Sequence, residues 1–179
     1  MTSSNLTFRP ATREDLPAIV ALLANDALGE KRENHTLPLP ASYEAAFTAI
    51  DQDPNNELIV VDSPDQVVAG VLQLTLVPHI TYQGGWRAQI EGVRVAANLR
   101  SSGIGKQLLL WAIGRAKDRG CHLVQLTSDK ARPDAIRFYE GLGFVPSHEG
   151  MKLHLDASVD DSTTPASALL RPVQGDSQD

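Results

Sequence analysis

Apolar residues fall at two spacings along this chain, and the switches between those spacings divide it into elements. Leu16, Ile19, Val20, Leu23 and Ala24 recur at three- and four-residue intervals, the stripe of an amphipathic helix. Thr12 precedes them as an N-cap, with Glu14 and Asp15 in the first turn, where negative charge is favoured. A short strand over 6–9 comes before, stopped by Pro10. Tyr43, Ala46, Phe47 and Ile50 predict a second helix, capped by Ser42 and running to about residue 51. Between the two helices, GEKRENHTLPLP is charged and proline-bounded, and it reads as a surface loop. The period then becomes two. Strands are expected over 58–61 and 67–77, joined through the turn Ser63-Pro64-Asp65-Gln66, with Leu72, Leu74 and Leu76 alternating with Gln73 and Thr75.

A connection, HITYQGGW, leads into a strand over 87–95. Ile104, Leu108, Trp111, Ala112 and Ala116 then predict a helix over 103–119, closed by Gly120. A strand over 122–127 follows, then a helix over 133–142 with Pro133 in its first turn. A final strand pair is expected at 144–145 and 151–155. The order β-α-α-β-β-β-α-β-α-β-β is that of one mixed α/β domain over 1–155. From 156 to 179 the composition shifts to Asp, Ser, Thr, Pro, Gln and Gly, which is expected to leave a disordered tail.

Composition narrows the function. At 179 residues, with 42% hydrophobic and 21% charged positions, the chain suits one soluble domain. A formal charge of −6 argues against nucleic acid as the main partner. The single cysteine, Cys121, excludes an internal disulfide; it reads as a buried structural thiol in a cytoplasmic protein. MTSSNLTFRP lacks the apolar core of a signal peptide. The longest apolar run, 18–24, falls far short of the ~18 residues that span a bilayer, so no membrane association is expected. The five histidines show no metal-ligand spacing, and no metal site is expected.

Chemistry concentrates in 90–106, IEGVRVAANLRSSGIGK: a strand, a polar loop and the glycine-rich start of a helix. A helix N-terminus presents unpaired N–H groups and partial positive charge. Gly103 and Gly105 let that backbone come close to a ligand, and Arg100 and Lys106 add full charge. The expected ligand is a phosphate or pyrophosphate. A P-loop would need Ser or Thr after Gly105-Lys106, where Gln107 stands. A dinucleotide fingerprint would need a third glycine at 108, which is Leu108.

What remains is Arg-x-x-Gly-x-Gly at Arg100, Gly103 and Gly105, with Glu91 and Val93-Arg94-Val95 upstream. Together with Arg137-Phe138-Tyr139-Glu140-Gly141-Leu142-Gly143-Phe144, this resembles the GNAT (Gcn5-related) N-acetyltransferases over about 58–155. The resemblance implies a mostly antiparallel sheet flanked by helices, with a parallel strand pair splayed around acetyl-CoA. It implies that Val93, Arg94 and Val95 hold the pantetheine arm, and that Arg100, Ser101, Ser102, Gly103, Ile104, Gly105 and Lys106 hold the pyrophosphate. Ser101 stands where relatives frequently have glycine, which is tolerable if its φ is negative. Asp134 stands where many relatives have asparagine, and it is left out of the site.

Glu91 is the expected general base. It lies two residues before Val93, on the same strand face by simple alternation. Tyr139 is the expected general acid, toward the departing sulfur, while Phe138 reads as an aromatic core contact. His79, Tyr82 and His148 are the candidate acceptor contacts. The expected activity is direct transfer, in a ternary complex, from acetyl-CoA to a small-molecule amine. The alternatives are a protein or peptide acceptor, and a noncatalytic acyl-CoA-binding or regulatory module on the same fold. The resemblance leaves room for a homodimer, through Trp111 or the final strands.

Overall fold

A computed structural model of the chain describes residues 5–25, 29–153 and 155. It divides into two units, Met1–Pro146 and Ser147–Asp179. The first holds a five-stranded sheet in the order β1 (Thr7–Pro10), β2 (Asn56–Ser63), β3 (Gln66–Pro78), β4 (Trp86–Val95) and β5 (Cys121–Leu126). Pairs β1–β2, β2–β3 and β3–β4 are antiparallel, and β4–β5 is parallel. This is the mixed, mostly antiparallel sheet that the sequence led us to expect.

Both sheet faces are apolar where helices cover them. Leu72, Leu74, Leu76, Ala88 and Ile90 pack against Ile104, Leu108, Leu109, Ala112 and Ala116 of helix α4 (Ile104–Asp118). Each fully buried Leu or Ile contributes ~1.5–3 kcal/mol, so this layer anchors the domain. Trp111 stacks on Phe8, with ring centroids 6.3 Å apart. On the other face, Leu16, Ile19 and Leu22 of α1 (Leu16–Ala24) and Phe47 of α2 (Ala41–Gln52) cover Val60, Val68, Val71 and Ala96. The helix α2 begins one residue before Ser42, which therefore lies inside its first turn rather than capping it.

Thr12 and Asp15 do form a capping box, at a 3-10 turn over Arg13–Asp15 that runs into α1. The buried Asp15 carboxylate also accepts from Arg9 at 2.6 and 3.0 Å, pinning α1 to β1. At the far edge, Glu57 at the start of β2 receives Arg115 and Arg119 from the C-terminal end of α4. One turn, α3 (Thr81–Gly84), links β3 to β4, with Tyr82, Gln83 and Gly84 all left-handed. Helix α5 (Pro133–Glu140) completes the unit.

The expected strands at 144–145 and 151–155 are not formed among the described residues. Phe144 instead donates its N–H to the Tyr139 carbonyl at 3.1 Å, closing the end of α5, and Pro146 carries no donor for a ladder. In the second unit Met151, Leu153 and Leu155 are exposed. Their alternation specified which face to bury but supplied no strand to pair with. The expected tail, 156–179, lies outside the described residues. No described helix is long and apolar enough to cross a membrane.

Candidate active site

The site is built on β4. Ala88 and Ile90 face the core under α4, so Arg87, Gln89 and Glu91 face the opposite side. Alternation then breaks. Gln73 pairs with Glu91, but Val71 pairs with Arg94, so β4 carries one residue more than β3 between them. Gly92 sits at that bulge with φ +63°, a conformation that glycine adopts without steric cost. Val93 and Val95 therefore return to the core side, while Glu91 stays exposed on the other. The expectation that Glu91 and Val93 share a face is thus corrected by a single bulge. The Glu91 carboxylate makes no hydrogen bond or ion pair with the described residues, Arg87 and Arg94 included.

The bulge also marks where the parallel pair ends. The β4–β5 register runs from Trp86↔Cys121 to Ile90↔Leu126 and stops. From Glu91 to Val95, β4 keeps its ladder to β3 and has no strand partner on the β5 side among the described residues. An extended ligand arm finds a row of backbone donors and acceptors there.

That row leads into a cleft of about 330 Å³ lined by Val95, Leu99, Arg100, Gly105, Lys106 and Phe138, together with Ser101 and Gly103. Helix α4 starts here, with Gly103 as its N-cap at φ +89°. The N–H groups of Arg100 and Ser102 are used locally, on the carbonyls of Ala97 and Leu99. Those of Ser101, Gly103, Ile104, Gly105 and Lys106 have no backbone acceptor among the described residues and suit an anion. Arg100 donates from Nη2 to the Asn25 carbonyl at 2.8 Å, tying the loop to the end of α1, and four of its five N–H donors remain. Ser101 adopts φ +65°, not the negative φ that a side chain prefers.

On α5 Phe138 departs from its expected place in the core. Phe138 is 38% exposed and lines the cleft beside Gly105. Tyr139 packs against the core and against Phe144, 6.0 Å away edge-on. Burial pushes the Tyr139 phenol above its ordinary pKa, more than Arg94 and Arg132 pull it down, so it holds its proton at neutral pH. Asp134 is exposed and ion-paired with Arg137. Burial likewise raises the Cys121 thiol and keeps it protonated.

The structure does not bring every expected residue to this place. Tyr82 stacks on His122 at the start of β5, with the Arg87 guanidinium 5.1 Å from its ring. His79 is nearby, its Nδ1 donating to the Val77 carbonyl. Both lie at the opposite end of β4 from the bulge, and Trp86 to Glu91 alone spans about 16 Å at ~3.3 Å per residue. His148 belongs to the second unit, where it bonds to Ser147 Oγ. Sequence reasoning missed Leu99, Phe138 and the carbonyl of Asn25. Phe138 had a signal in the chain: a ring beside two glycines in the same motif.

Comparison with known proteins identifies the family and agrees with the fold. A profile of the acetyltransferase (GNAT) family covers residues 23–144. Aminoalkylphosphonate N-acetyltransferase of Salmonella typhimurium is 30% identical over 140 residues, 78% of this chain and 85% of that protein. Glucosamine 6-phosphate N-acetyltransferase of Trypanosoma brucei brucei is 33% identical over 93 residues, 51% of this chain and 60% of that one. A solved structure described as a transcriptional regulator from Bacillus halodurans C-125 is 57% identical, with a TM-score of 0.81, over 84% of this chain and 99% of its own. The chain belongs to the acetyltransferase (GNAT) family, as an acyltransferase.

Proposed function

We propose that this protein moves the acetyl group of acetyl-CoA directly to the amine of a small molecule, with Glu91 as general base and Tyr139 as general acid. Acetyl-CoA is the acyl donor of the family to which the chain belongs. One observation carries the reading: the strand edge left unpaired after Ile90 leads into a cationic, glycine-rich cleft walled by Phe138, the neighbour of the half-buried Tyr139 on α5.

The residues divide the work. The free N–H groups of Ser101 and of Gly103 to Lys106, with the Arg100 and Lys106 charges, suit the pyrophosphate. The backbone of Val93 to Val95 suits the pantetheine arm and, through its N–H groups, the developing negative charge on the carbonyl oxygen. An alkylamine with a pKa near ~10 arrives protonated, so a base is needed. Glu91, exposed and unpaired at the bulge, takes that proton directly or through water. The nitrogen–carbon bond forms, the carbon–sulfur bond breaks, and the Tyr139 hydroxyl gives its proton to the sulfur. A small acceptor is supported by the two N-acetyltransferases above, which are named for small amines.

A second reading, a regulatory module that binds acetyl-CoA without turning it over, draws on the relative described as a transcriptional regulator. Release of CoA thiol in the presence of an amine separates the two. In that assay Glu91→Gln and Tyr139→Phe are each expected to lower kcat by about 10²–10⁴. Because the Tyr139 pKa is raised, wild-type activity is expected to persist through neutral pH and to fall only above the ordinary phenol value of ~10; Tyr139→Phe would lack that alkaline limb. Unchanged turnover in both variants would overturn the role assignments.

A further inference from the structure

The sheet face that carries Glu91 is only half covered. Helices α1 and α2 bury Val60, Val68, Val71 and Ala96, and Leu23 of α1 reaches the bulge at Gly92. Beyond that point polar side chains join Leu58 and Val77 on the face. Gln73 of β3 stands directly across from Glu91, and Thr75 and Asn56 follow on the same face by register. Cross-strand neighbours of this kind have Cβ atoms ~4.5–5.5 Å apart.

Hydrogen bonding fixes which way these carboxamides point. The Asp53 carboxylate is an acceptor only, held by the Asn55 N–H at 2.8 Å. Asn56 therefore turns its Nδ2 toward Asp53, donating at 2.6 Å. The reverse orientation would set two acceptor oxygens against each other. Asn56 Oδ1 consequently faces the other way, and it accepts from Thr75 Oγ1 at 2.6 Å and from Gln73 Nε2 at 3.1 Å. An amide that points its NH₂ group at Asn56, using one of its two N–H donors, has its carbonyl oxygen left over. Gln73 Oε1 has no partner among the described residues.

We propose that Gln73 Oε1, oriented by the Asp53–Asn56 relay, is a second contact for the acceptor amine, holding one of its N–H groups beside the Glu91 carboxylate. Two acceptors on neighbouring strands suit a nitrogen that arrives with two N–H bonds, one held at Gln73 and one given up to Glu91. Gln73 would touch the substrate, whereas Asn56 and Asp53 act through it as positioning residues. This inference rests on the acetyl-transfer reading above and adds to it a residue that positions the acceptor.

The test uses the intact protein with acetyl-CoA and four primary amines as probes: 2-aminoethylphosphonate, glucosamine 6-phosphate, spermidine and lysine. The probe turned over best is carried into Gln73→Leu and Gln73→Glu. Both variants lose the donated bond to Asn56, but only Gln73→Glu keeps an acceptor oxygen beside Glu91. The expected result is an amine KM raised about tenfold or more in Gln73→Leu and close to wild type in Gln73→Glu, with the acetyl-CoA KM unchanged in both. Equal loss in the two variants, or none in either, would overturn the role of Gln73 while leaving acetyl transfer intact. No CoA release by wild type with any of the four amines would overturn both readings.

Discussion

Replacing Ser101 by glycine removes a Cβ from a left-handed residue at φ +65° in the anion-binding loop. A side chain in that conformation costs ~1–2 kcal/mol. Glycine gives back part of this, because its greater freedom in the unfolded chain costs ~0.4–1 kcal/mol. Ser101 is exposed and its hydroxyl has no partner among the described residues, so no contact is lost. The difference favours glycine by ~0.5–1 kcal/mol. For a chain of this length that is a rise of about 1–4 °C in Tm. Thermal and urea unfolding of the ligand-free protein measure it, with Ser101→Ala as the control that removes the hydroxyl and keeps the Cβ. Ser101→Ala should gain nothing, and both variants should still bind acetyl-CoA, since the free N–H of residue 101 is retained. Ser101→Gly that is neutral or destabilised, or Ser101→Ala that matches it, would refute the strain argument.

Two further outcomes follow from contacts at either side of the sheet. The Asp15 carboxyl lies below its ordinary pKa, chiefly through its hydrogen bonds from Arg9, so it contributes stability above the unfolded value of ~3.9 and loses it as pH falls through the lower folded value. Asp15→Asn should therefore cost ~2 kcal/mol at neutral pH and progressively less in acid, read by urea unfolding at a series of pH values; a cost that does not depend on pH would discard the Arg9 pairing as its source. Phe138→Ala should raise the acetyl-CoA KM several-fold with little change in Tm, because the ring walls the cleft and is 38% exposed; a large drop in Tm would return Phe138 to the core.

Elements whose sequence signal is local were legible. The stripe of α4, the cap of α1, the turn between β2 and β3 and the glycine loop each depend on residues within a few positions of one another. The sequence signal weakened where a distant partner decides the outcome. Phe138 and Tyr139 are adjacent on a helix of eight residues, too short for its own periodicity to say which ring faces inward. Leu142 and Phe144, after the helix, join Tyr139 against the core. His79 and Tyr82 follow β3 and precede β4, a sequence position that suits an acceptor loop. An antiparallel strand places its two flanking loops at opposite ends, and theirs is the end away from the bulge. Alternation at 151–155 likewise named a face without naming a neighbour.

The bulge joins these points to the chemistry. Strict alternation through 87–95 would put either Glu91 or Val93 in the wrong environment: a carboxylate under α4, or a valine on the open polar face. One extra residue at Gly92 lets both sit correctly, Ile90 and Val93 in the core and Glu91 across from Gln73. The signal was present, since glycine inside a strand pattern often marks such a defect. Its consequence was not readable, because which residue the bulge opposes depends on the register with β3. The same defect lies just beyond the last β4–β5 pair, at Ile90, where β4 and β5 cease to pair. A carboxylate exposed at the end of a parallel pair and a valine returned to the core just beyond it thus meet at one place in the sheet: alternation through Ile90 turns the glutamate outward, and the departure from period two that follows turns Val93 back under α4 where the strand edge opens.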